Sequence, residues 1–146
     1  MNMKILGIDY GLKKVGLAIS DSSGELALPL TIIINQGKEK LLAELKAICR
    51  EHQVEKIVVG LPLSFAGNKE NGLLRQKDLA NKQLQTILLF VDWLKDNIDL
   101  PLEVEDERLS TKLANHLSKD LIKKGPDDAV AAMLILQSYL DKQNNF

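Results

Sequence analysis

The chain has 146 residues, of which 45% are hydrophobic and 27% charged, and its formal net charge is −1 at pH 7. This is typical of one globular domain, and the near-neutral charge excludes bulk electrostatic attraction to nucleic acid. No apolar run approaches the roughly 18 to 20 residues of a membrane span, and we recognise no signal peptide, so we expect a cytoplasmic protein without membrane contact. Cys49 is the single cysteine and is predicted to be a small core residue.

The first predicted element is a hairpin over residues 4–20. Its first strand ends on the carboxylate of Asp9, and its second strand alternates large side chains with small residues such as Gly16. A face of small residues allows another backbone or a ligand to come close. Asp9 would be costly to bury alone, so it needs a cation, donors or water at the strand end. Bonding to the amides of the following turn is the alternative.

The next elements alternate between strands and helices. Residues 26–34 are predicted to form an edge strand, because Pro29 lacks a backbone donor. An amphipathic helix over 38–52, a buried strand at 57–59 and a long helix ending near residue 97 follow. Residues 102–105 alternate as a half-exposed strand. Two helices complete the chain, one capped by Ser110 and one beginning at Pro126.

This order predicts an α/β fold with one mixed five-stranded sheet and helices on both faces. An initial meander is continued by right-handed parallel crossovers. We assign residues 1–142 to a single domain and residues 143–146 to a polar C-terminal tail.

Three acidic clusters close a strand or open a helix: Asp9, Asp106-Glu107 and Asp127-Asp128. Parallel strands place their carboxyl ends at the same edge of a sheet, so Asp9 and Glu107 are expected to be neighbours. Asp128 joins them if the last helix begins above that edge. Converging carboxylates repel one another unless a cation lies between them, and their oxygens suit Mg²⁺ or Mn²⁺. Two such ions activate water for phosphodiester hydrolysis.

Each cluster also has a simpler interpretation. Asp127 and Asp128 could merely stabilise a helix N-terminus through its dipole. The acids at 105–107 could form a solvated strand end that pairs with Arg108.

Basic residues accompany the acidic clusters and could form a track for phosphates. The candidates are Lys13, Lys14, Lys69, Arg75, Lys77, Arg108, Lys112, Lys119, Lys123 and Lys124. Because only 4% of the residues are aromatic, we expect recognition of backbone shape more than of base sequence.

Four segments, taken in order, resemble the motifs of the YqgF/RuvX family, the pre-16S rRNA nucleases that are also described as Holliday-junction-resolvase-like. They are residues 7–11 (GIDYG), 59–63 (VGLPL), 106–111 (DERLST) and 128–132 (DAVAA). The resemblance implies an RNase H-like fold and a metal-dependent phosphodiesterase that matures the 5′ end of small-subunit ribosomal RNA.

By position, the resemblance assigns the catalytic and metal-binding roles to Asp9, Glu107 and Asp128, with Asp106 as the competing choice in its motif. It also places Gly60, Pro62 and Gly67 in a substrate-side loop. With the basic neighbours of the acids, the predicted substrate-binding residues are Lys13, Lys14, Gly60, Pro62, Gly67, Arg108 and Lys112. The expected cofactor is Mg²⁺ or Mn²⁺.

We expect the partners to be pre-16S rRNA and ribosomal precursor particles, and the protein itself to be a monomer or weak homodimer. Three rival functions remain open. The protein could cleave four-way DNA junctions, or it could bind RNA as a non-catalytic ribosome-assembly factor. Residues 8–11 also resemble the phosphate loop of actin-like and sugar-kinase ATPases, but those enzymes use two such domains.

Overall fold

Five strands and three helices form within residues 3–62, 82–106 and 127–144, the part of the chain that the computed structural model describes. The strands are β1 (Lys4–Asp9), β2 (Lys14–Ser20), β3 (Ala27–Ile34), β4 (Val54–Leu61) and β5 (Leu102–Asp106). The helices are α1 (Lys38–Glu51), α2 (Lys82–Asn97) and α3 (Asp128–Asn144). The helix predicted after Ser110 lies outside the described residues.

The strands form one sheet in the order β3-β2-β1-β4-β5. Strand β1 pairs antiparallel with β2 and parallel with β4, and β4 pairs parallel with β5. The predicted mixed sheet is therefore confirmed. Strand β3 lies at an edge, as Pro29 indicated, and Pro29 pairs with Ala18 beside a register shift.

Helices cover both faces of the sheet. Helices α1 and α2 pack on one face, over the large side chains that β2 contributes at Val15, Leu17 and Ile19. Helix α3 packs on the opposite face, over Ile5, Ala18 and Val58. The alternation of large and small residues in β2 thus separates a face with bulky core side chains from a face that admits a helix closely.

Helix α3 lies unusually near the sheet because the strands present glycines to it. A Cβ placed on Gly7 would lie 2.9 Å from the Cβ of Leu136 and 3.1 Å from the carbonyl oxygen of Ala132. A Cβ on Gly60 would overlap the side chain of Ile135. The prediction that a small-residue face lets another backbone approach is confirmed.

The ends of several elements differ from the predictions, and two of these differences have a visible cause in the structure. Strand β4 begins at Val54, three residues before the predicted apolar run, because the chain turns at Gln53 with a positive φ of 57° and pairs immediately with β1. Helix α3 continues to Asn144, whose side chain donates a hydrogen bond to the carbonyl oxygen of Gly24 at 3.2 Å. None of the helices in the described ranges combines the length and the apolar character needed to cross a membrane.

Candidate active site

Asp9 lies at the carboxyl end of the central strand β1 and is half-buried. Its register partner in β2 is Gly16, and a Cβ on Gly16 would overlap the backbone of Asp128 in α3. Because directly opposed residues of a ladder point to the same face, the side chain of Asp9 lies on the α3 face of the sheet.

A row of residues on the α3 face crosses the whole sheet at the level of Asp9. On one side of Asp9, Gly16 of β2 is its register partner and pairs in turn with Ile32 of β3. On the other side, Gly60 of β4 follows the residue that pairs with Ile8, and it pairs with Glu105 of β5. Asp9 is therefore flanked on both neighbouring strands by glycine. This leaves room above the strand ends that larger side chains would fill.

Helix α3 begins in that space. Asp128 is its first residue and is half-buried, and its carbonyl group lies directly over Gly16. The structure therefore places the backbone of Asp128 at the same edge and on the same face of the sheet as Asp9, which meets the condition set in the sequence analysis; a joint role in catalysis stays a prediction.

Asp127 is the N-cap of α3. Its Oδ1 accepts a hydrogen bond from the backbone N–H of Val130 at 2.8 Å, and its carbonyl oxygen accepts one from the N–H of Ala131 at 2.9 Å. The prediction that this helix begins at Pro126 was wrong, because an aspartate cap sets the first helical residue one position later than itself. The simpler interpretation, an acid that only stabilises a helix end, applies to Asp127.

Asp106 lies on the other face of the sheet. Its register partner in β4 is Leu61, which packs in the core beneath α1 and α2. Asp106 is thus directed away from the face that carries Asp9 and Asp128. Glu107, the other acid of its motif, lies outside the described residues.

The donor chemistry of this edge fits a hard divalent cation. Asp9 and Asp128 carry carboxylate oxygens, which Mg²⁺ and Mn²⁺ prefer, and the glycines beside Asp9 let the start of α3 approach the strand ends closely. Within residues 3–62, 82–106 and 127–144 no group of three acidic, histidine or cysteine side chains is placed to hold a metal. A cation held by Asp9 and Asp128 would therefore need further ligands from outside the described residues, from the substrate or from water.

Lys13 and Lys14 are both exposed, Lys13 in the turn that follows Asp9 and Lys14 as the first residue of β2. This turn is fixed from the side by Asn35, whose N–H donates to the carbonyl oxygen of Lys13 at 2.9 Å and whose side chain donates to that of Gly11, also at 2.9 Å. The backbone that carries these two cations, four and five residues after Asp9, therefore has a defined position.

The other predicted substrate-binding residues fall into two groups. Gly60 and Pro62 are described and buried, Gly60 inside β4 beneath Ile135. Their burial favours a role in shaping the edge, and a contact with substrate stays a prediction. Gly67, Arg108 and Lys112 lie outside the described residues.

On the face of the sheet that α1 and α2 cover, the residue after Asp9 packs in an aromatic pair. The ring of Tyr10 lies parallel to that of Phe90 in α2, with centroids 4.0 Å apart and an interplanar angle of 12°. The side chain next to Asp9 is therefore used in packing, which accords with the expectation of limited base stacking.

Two glutamates of β5 bind helix α3 on the side away from β3. Glu103 accepts hydrogen bonds from Lys56 Nζ at 2.6 Å and from the hydroxyl of Tyr139 at 2.8 Å. These two bonds, that to Lys56 first, hold the pKa of the Glu103 carboxyl below its usual value.

Glu105 is buried and accepts hydrogen bonds from Lys142 Nζ at 2.6 Å and from the hydroxyl of Ser138 at 3.0 Å. The sequence interpretation predicted neither the contacts of Glu103 nor those of Glu105 with α3. The one available signal was that these two acids are two residues apart in a strand, which places them on the same face.

Solved structures similar to this chain share its fold. Thermus thermophilus RuvC in complex with a Holliday junction substrate has a TM-score of 0.57 and 15% sequence identity, covering 97% of this chain and 96% of that one. The Fowlpox virus resolvase bound to Holliday junction DNA has a TM-score of 0.52 and 13% identity, covering 97% and 99%. The predicted RNase H-like fold is confirmed by these neighbours.

Sequence relatives are considerably closer. A Rickettsia typhi protein named "Putative pre-16S rRNA nuclease" is 36% identical over 150 residues, covering 99% of this chain and 89% of the relative. A Rickettsia bellii protein of the same name is 35% identical over 148 residues, covering 98% and 89%. The family model described as "RuvX: Holliday junction resolvase" matches residues 3–142. The chain therefore belongs to the RuvX family, as its motifs indicated.

Proposed function

We propose that this protein is a metal-dependent nuclease that hydrolyses phosphodiester bonds during 5′-end maturation of pre-16S rRNA. The observation that carries the proposal is the position of Asp128, whose backbone lies on Gly16, the register partner of Asp9. The names of relatives that match nearly the whole chain support the choice of substrate. The protein would act in the cytoplasm on ribosomal precursor particles, as a monomer or weak homodimer.

Asp9, Glu107 and Asp128 are the proposed catalytic and metal-binding residues. Asp9 and Asp128 share one edge and one face of the sheet, whereas Asp106 is on the opposite face, and this supports Glu107 over Asp106 as the third ligand. A bound Mg²⁺ or Mn²⁺ would act as a Lewis acid that activates water and neutralises charge on the scissile phosphate.

The remaining residues of the site would bind and orient the nucleic acid. Lys13 and Lys14 are exposed beside Asp9 and are suited to hold backbone phosphates, because Lys is a compact cation that contacts phosphate without reading bases. We assign the same role to Arg108 and Lys112 from their places in the sequence. Asp9 and Asp128 would set the position of the cation relative to the phosphate that these side chains hold.

Cleavage of four-way DNA junctions is the second candidate function. The description of the family model as a Holliday junction resolvase favours it. The two solved resolvases establish only the fold at 13–15% identity, so they do not choose between the substrates. The same acidic edge would serve either reaction, since both break a phosphodiester bond.

The test compares wild type, Asp9→Asn and Asp92→Asn, an exposed control on α2, in cleavage of precursor RNA with Mg²⁺ or Mn²⁺. We expect wild type and Asp92→Asn to cleave and Asp9→Asn to be inactive while it melts at a similar temperature. Equal cleavage by wild type and Asp9→Asn would refute the catalytic role of Asp9. Unlabelled four-way DNA junctions are then added as competitor: preferential inhibition and cleavage of the junction would favour the second function.

A further inference from the structure

Polar contacts hold helix α3 on both of its flanks. Towards β3, the side chain of Gln137 accepts a hydrogen bond from the N–H of Ala27 at 2.9 Å and donates one to the carbonyl oxygen of Glu25 at 3.0 Å. Towards β5, Ser138, Tyr139 and Lys142 bind the two glutamates described above. The helix is therefore fixed laterally as well as against the sheet.

Glu105 differs from the other acids of these contacts by its burial. Its side chain is 6% exposed, compared with 47% for Glu103. A buried carboxylate destabilises a fold unless hydrogen bonds and an opposite charge compensate it. In Glu105 a single oxygen, Oε2, meets both Lys142 Nζ and the Ser138 hydroxyl.

The position of Glu105 links two parts of the proposed site. It pairs with Gly60 and lies on the α3 face at the level of Asp9. Glu107 follows two residues later in the sequence. Ser138 and Lys142 belong to the helix whose first residue is Asp128. One buried side chain thus joins the strand that leads to Glu107 with the helix that carries Asp128.

We propose that Glu105 is a positioning residue, whose contacts with Ser138 and Lys142 fix the end of β5 against the helix that carries Asp128 and so set the affinity of the site for its divalent ion. This inference rests on the proposed function. Residues that orient ligands without touching the metal change its affinity by roughly 10- to 100-fold when replaced. Glu105 therefore influences metal binding more than it influences the turnover of the fully loaded enzyme.

Glu103 provides a matched control. It lies on the same strand and face and binds the same helix through Tyr139, but it is four residues from Glu107 and also contacts Lys56 of β4. Because Glu105 is far more buried than Glu103, urea denaturation of both variants is measured alongside, so that a general loosening of α3 is detected as a loss of stability. A specific effect on the metal site would appear only in Glu105→Gln, which keeps the size of the side chain and removes its charge.

The experiment titrates Mn²⁺ into wild type, Glu105→Gln and Glu103→Gln, and reads free Mn²⁺ by electron paramagnetic resonance. We expect Glu105→Gln to raise the dissociation constant about tenfold or more and Glu103→Gln to change it less than about twofold. In RNA cleavage, Glu105→Gln should need more Mn²⁺ for half-maximal rate, while its rate at saturating Mn²⁺ stays close to that of wild type.

Each other outcome is decisive. Equal Mn²⁺ affinity in wild type and Glu105→Gln, or an equal loss in both variants, overturns the positioning role alone. Wild type that binds no Mn²⁺ overturns the proposed function and this inference with it. Where Glu105→Gln does not fold, Ser138→Ala decides, because it removes one contact and keeps the ion pair: several-fold weaker Mn²⁺ binding supports the role, and unchanged binding refutes it.

Discussion

The carbonyl group of Asp128 occupies the space in front of Gly16 that a side chain would fill. Because Gly16 is opposite Asp9 in the β1–β2 ladder, this contact determines how near the start of α3 comes to the end of β1. Two acids far apart in sequence are therefore brought together by packing of backbone on backbone. A side-chain rotation cannot relieve a change at this position.

Replacing Gly16 by alanine should consequently displace the N-terminus of α3. We expect Gly16→Ala to lower the free energy of unfolding by about 3 kcal/mol or more, at the upper end of overpacking effects, and to abolish Mn²⁺ binding and RNA cleavage. Urea denaturation and the Mn²⁺ titration measure the two effects. A Gly16→Ala variant with wild-type stability and activity would contradict the contact.

Gly60→Ala tests the packing of α3 at a position where a side chain, and not the helix backbone, would meet the new methyl group. Its new methyl group would meet the Cδ1 atom of Ile135, which can move or be removed. We expect a loss of about 1–3 kcal/mol in the free energy of unfolding, with partial recovery in the double variant Gly60→Ala/Ile135→Val. No recovery in the double variant would show that the backbone of α3 is the obstacle here as well.

The neighbouring acids Asp127 and Asp128 should separate stability from activity. Asp127→Ala removes the N-cap bond to Val130, so it should cost about 1 kcal/mol of stability and leave cleavage nearly unchanged well below the melting temperature. Asp128→Asn should cost only about 0.5 kcal/mol through the helix dipole.

In contrast, Asp128→Asn should lower cleavage by at least about 100-fold, because replacing a ligand exceeds the 10- to 100-fold effect of residues around it. Asp127→Asn, which keeps a capping oxygen, is the control for the cap. The opposite pattern, with the activity loss in Asp127→Ala, would reassign the site to the cap residue.

Cys49 should be inert to thiol reagents in the folded protein. It is 8% exposed on the core-facing side of α1, and burial raises the pKa of its thiol to about 11. Because the thiolate is the reactive form, at pH 8 only about one thiol in a thousand is ionised. We expect labelling with a disulfide reagent to be at least about 100-fold slower than in denaturant. Equal rates would contradict its burial.

Glu103 should contribute to stability at neutral pH and not in acid. Its pKa in the folded protein lies below the usual 4.5, because Lys56 and then Tyr139 donate hydrogen bonds to its carboxylate. A carboxyl group with a lowered pKa stabilises the fold above its unfolded pKa, and this contribution is lost as the pH falls through the folded value.

The melting temperature of wild type should therefore exceed that of Glu103→Gln near pH 7, and the two should converge as the pH falls below about 4.5. The difference should correspond to less than about 1 kcal/mol, because the side chain of Glu103 is 47% exposed. A difference that is constant from neutral pH to about pH 3 would show that the ion pair with Lys56 contributes nothing.

Much of the fold could be predicted because the local patterns are unambiguous. The alternation in β2 separated the faces of the sheet, and Pro29 marked the edge strand. The predicted start of α3 was wrong because a proline at the first helical position and an aspartate N-cap are both typical of a helix start. Only the hydrogen bond from the N–H of Val130 shows that Asp127 is the N-cap.

The site was predictable only in part. Strand order predicted only that Asp9 and Glu107 share an edge, and Asp128 was expected to join them on the condition that the last helix begins above it. The structure meets that condition through the contact of Asp128 with Gly16, which has no local signature in the sequence. The ion pair of Glu105 joins residues 37 positions apart, and nothing in either segment indicates the other. In sequence, Asp106 and Glu107 are equal alternatives. The register of β5 with β4 places Asp106 on the face opposite to Asp9, and Glu107 lies outside the described residues.

The glycines of β1, β2 and β4 are covered by a helix that the ribosome makes last among the described elements. A nascent chain that ends before α3 therefore exposes this small-residue face and lacks Asp128, one of the two described acids of the proposed site. The proposed site is completed only when the last described helix packs on the sheet.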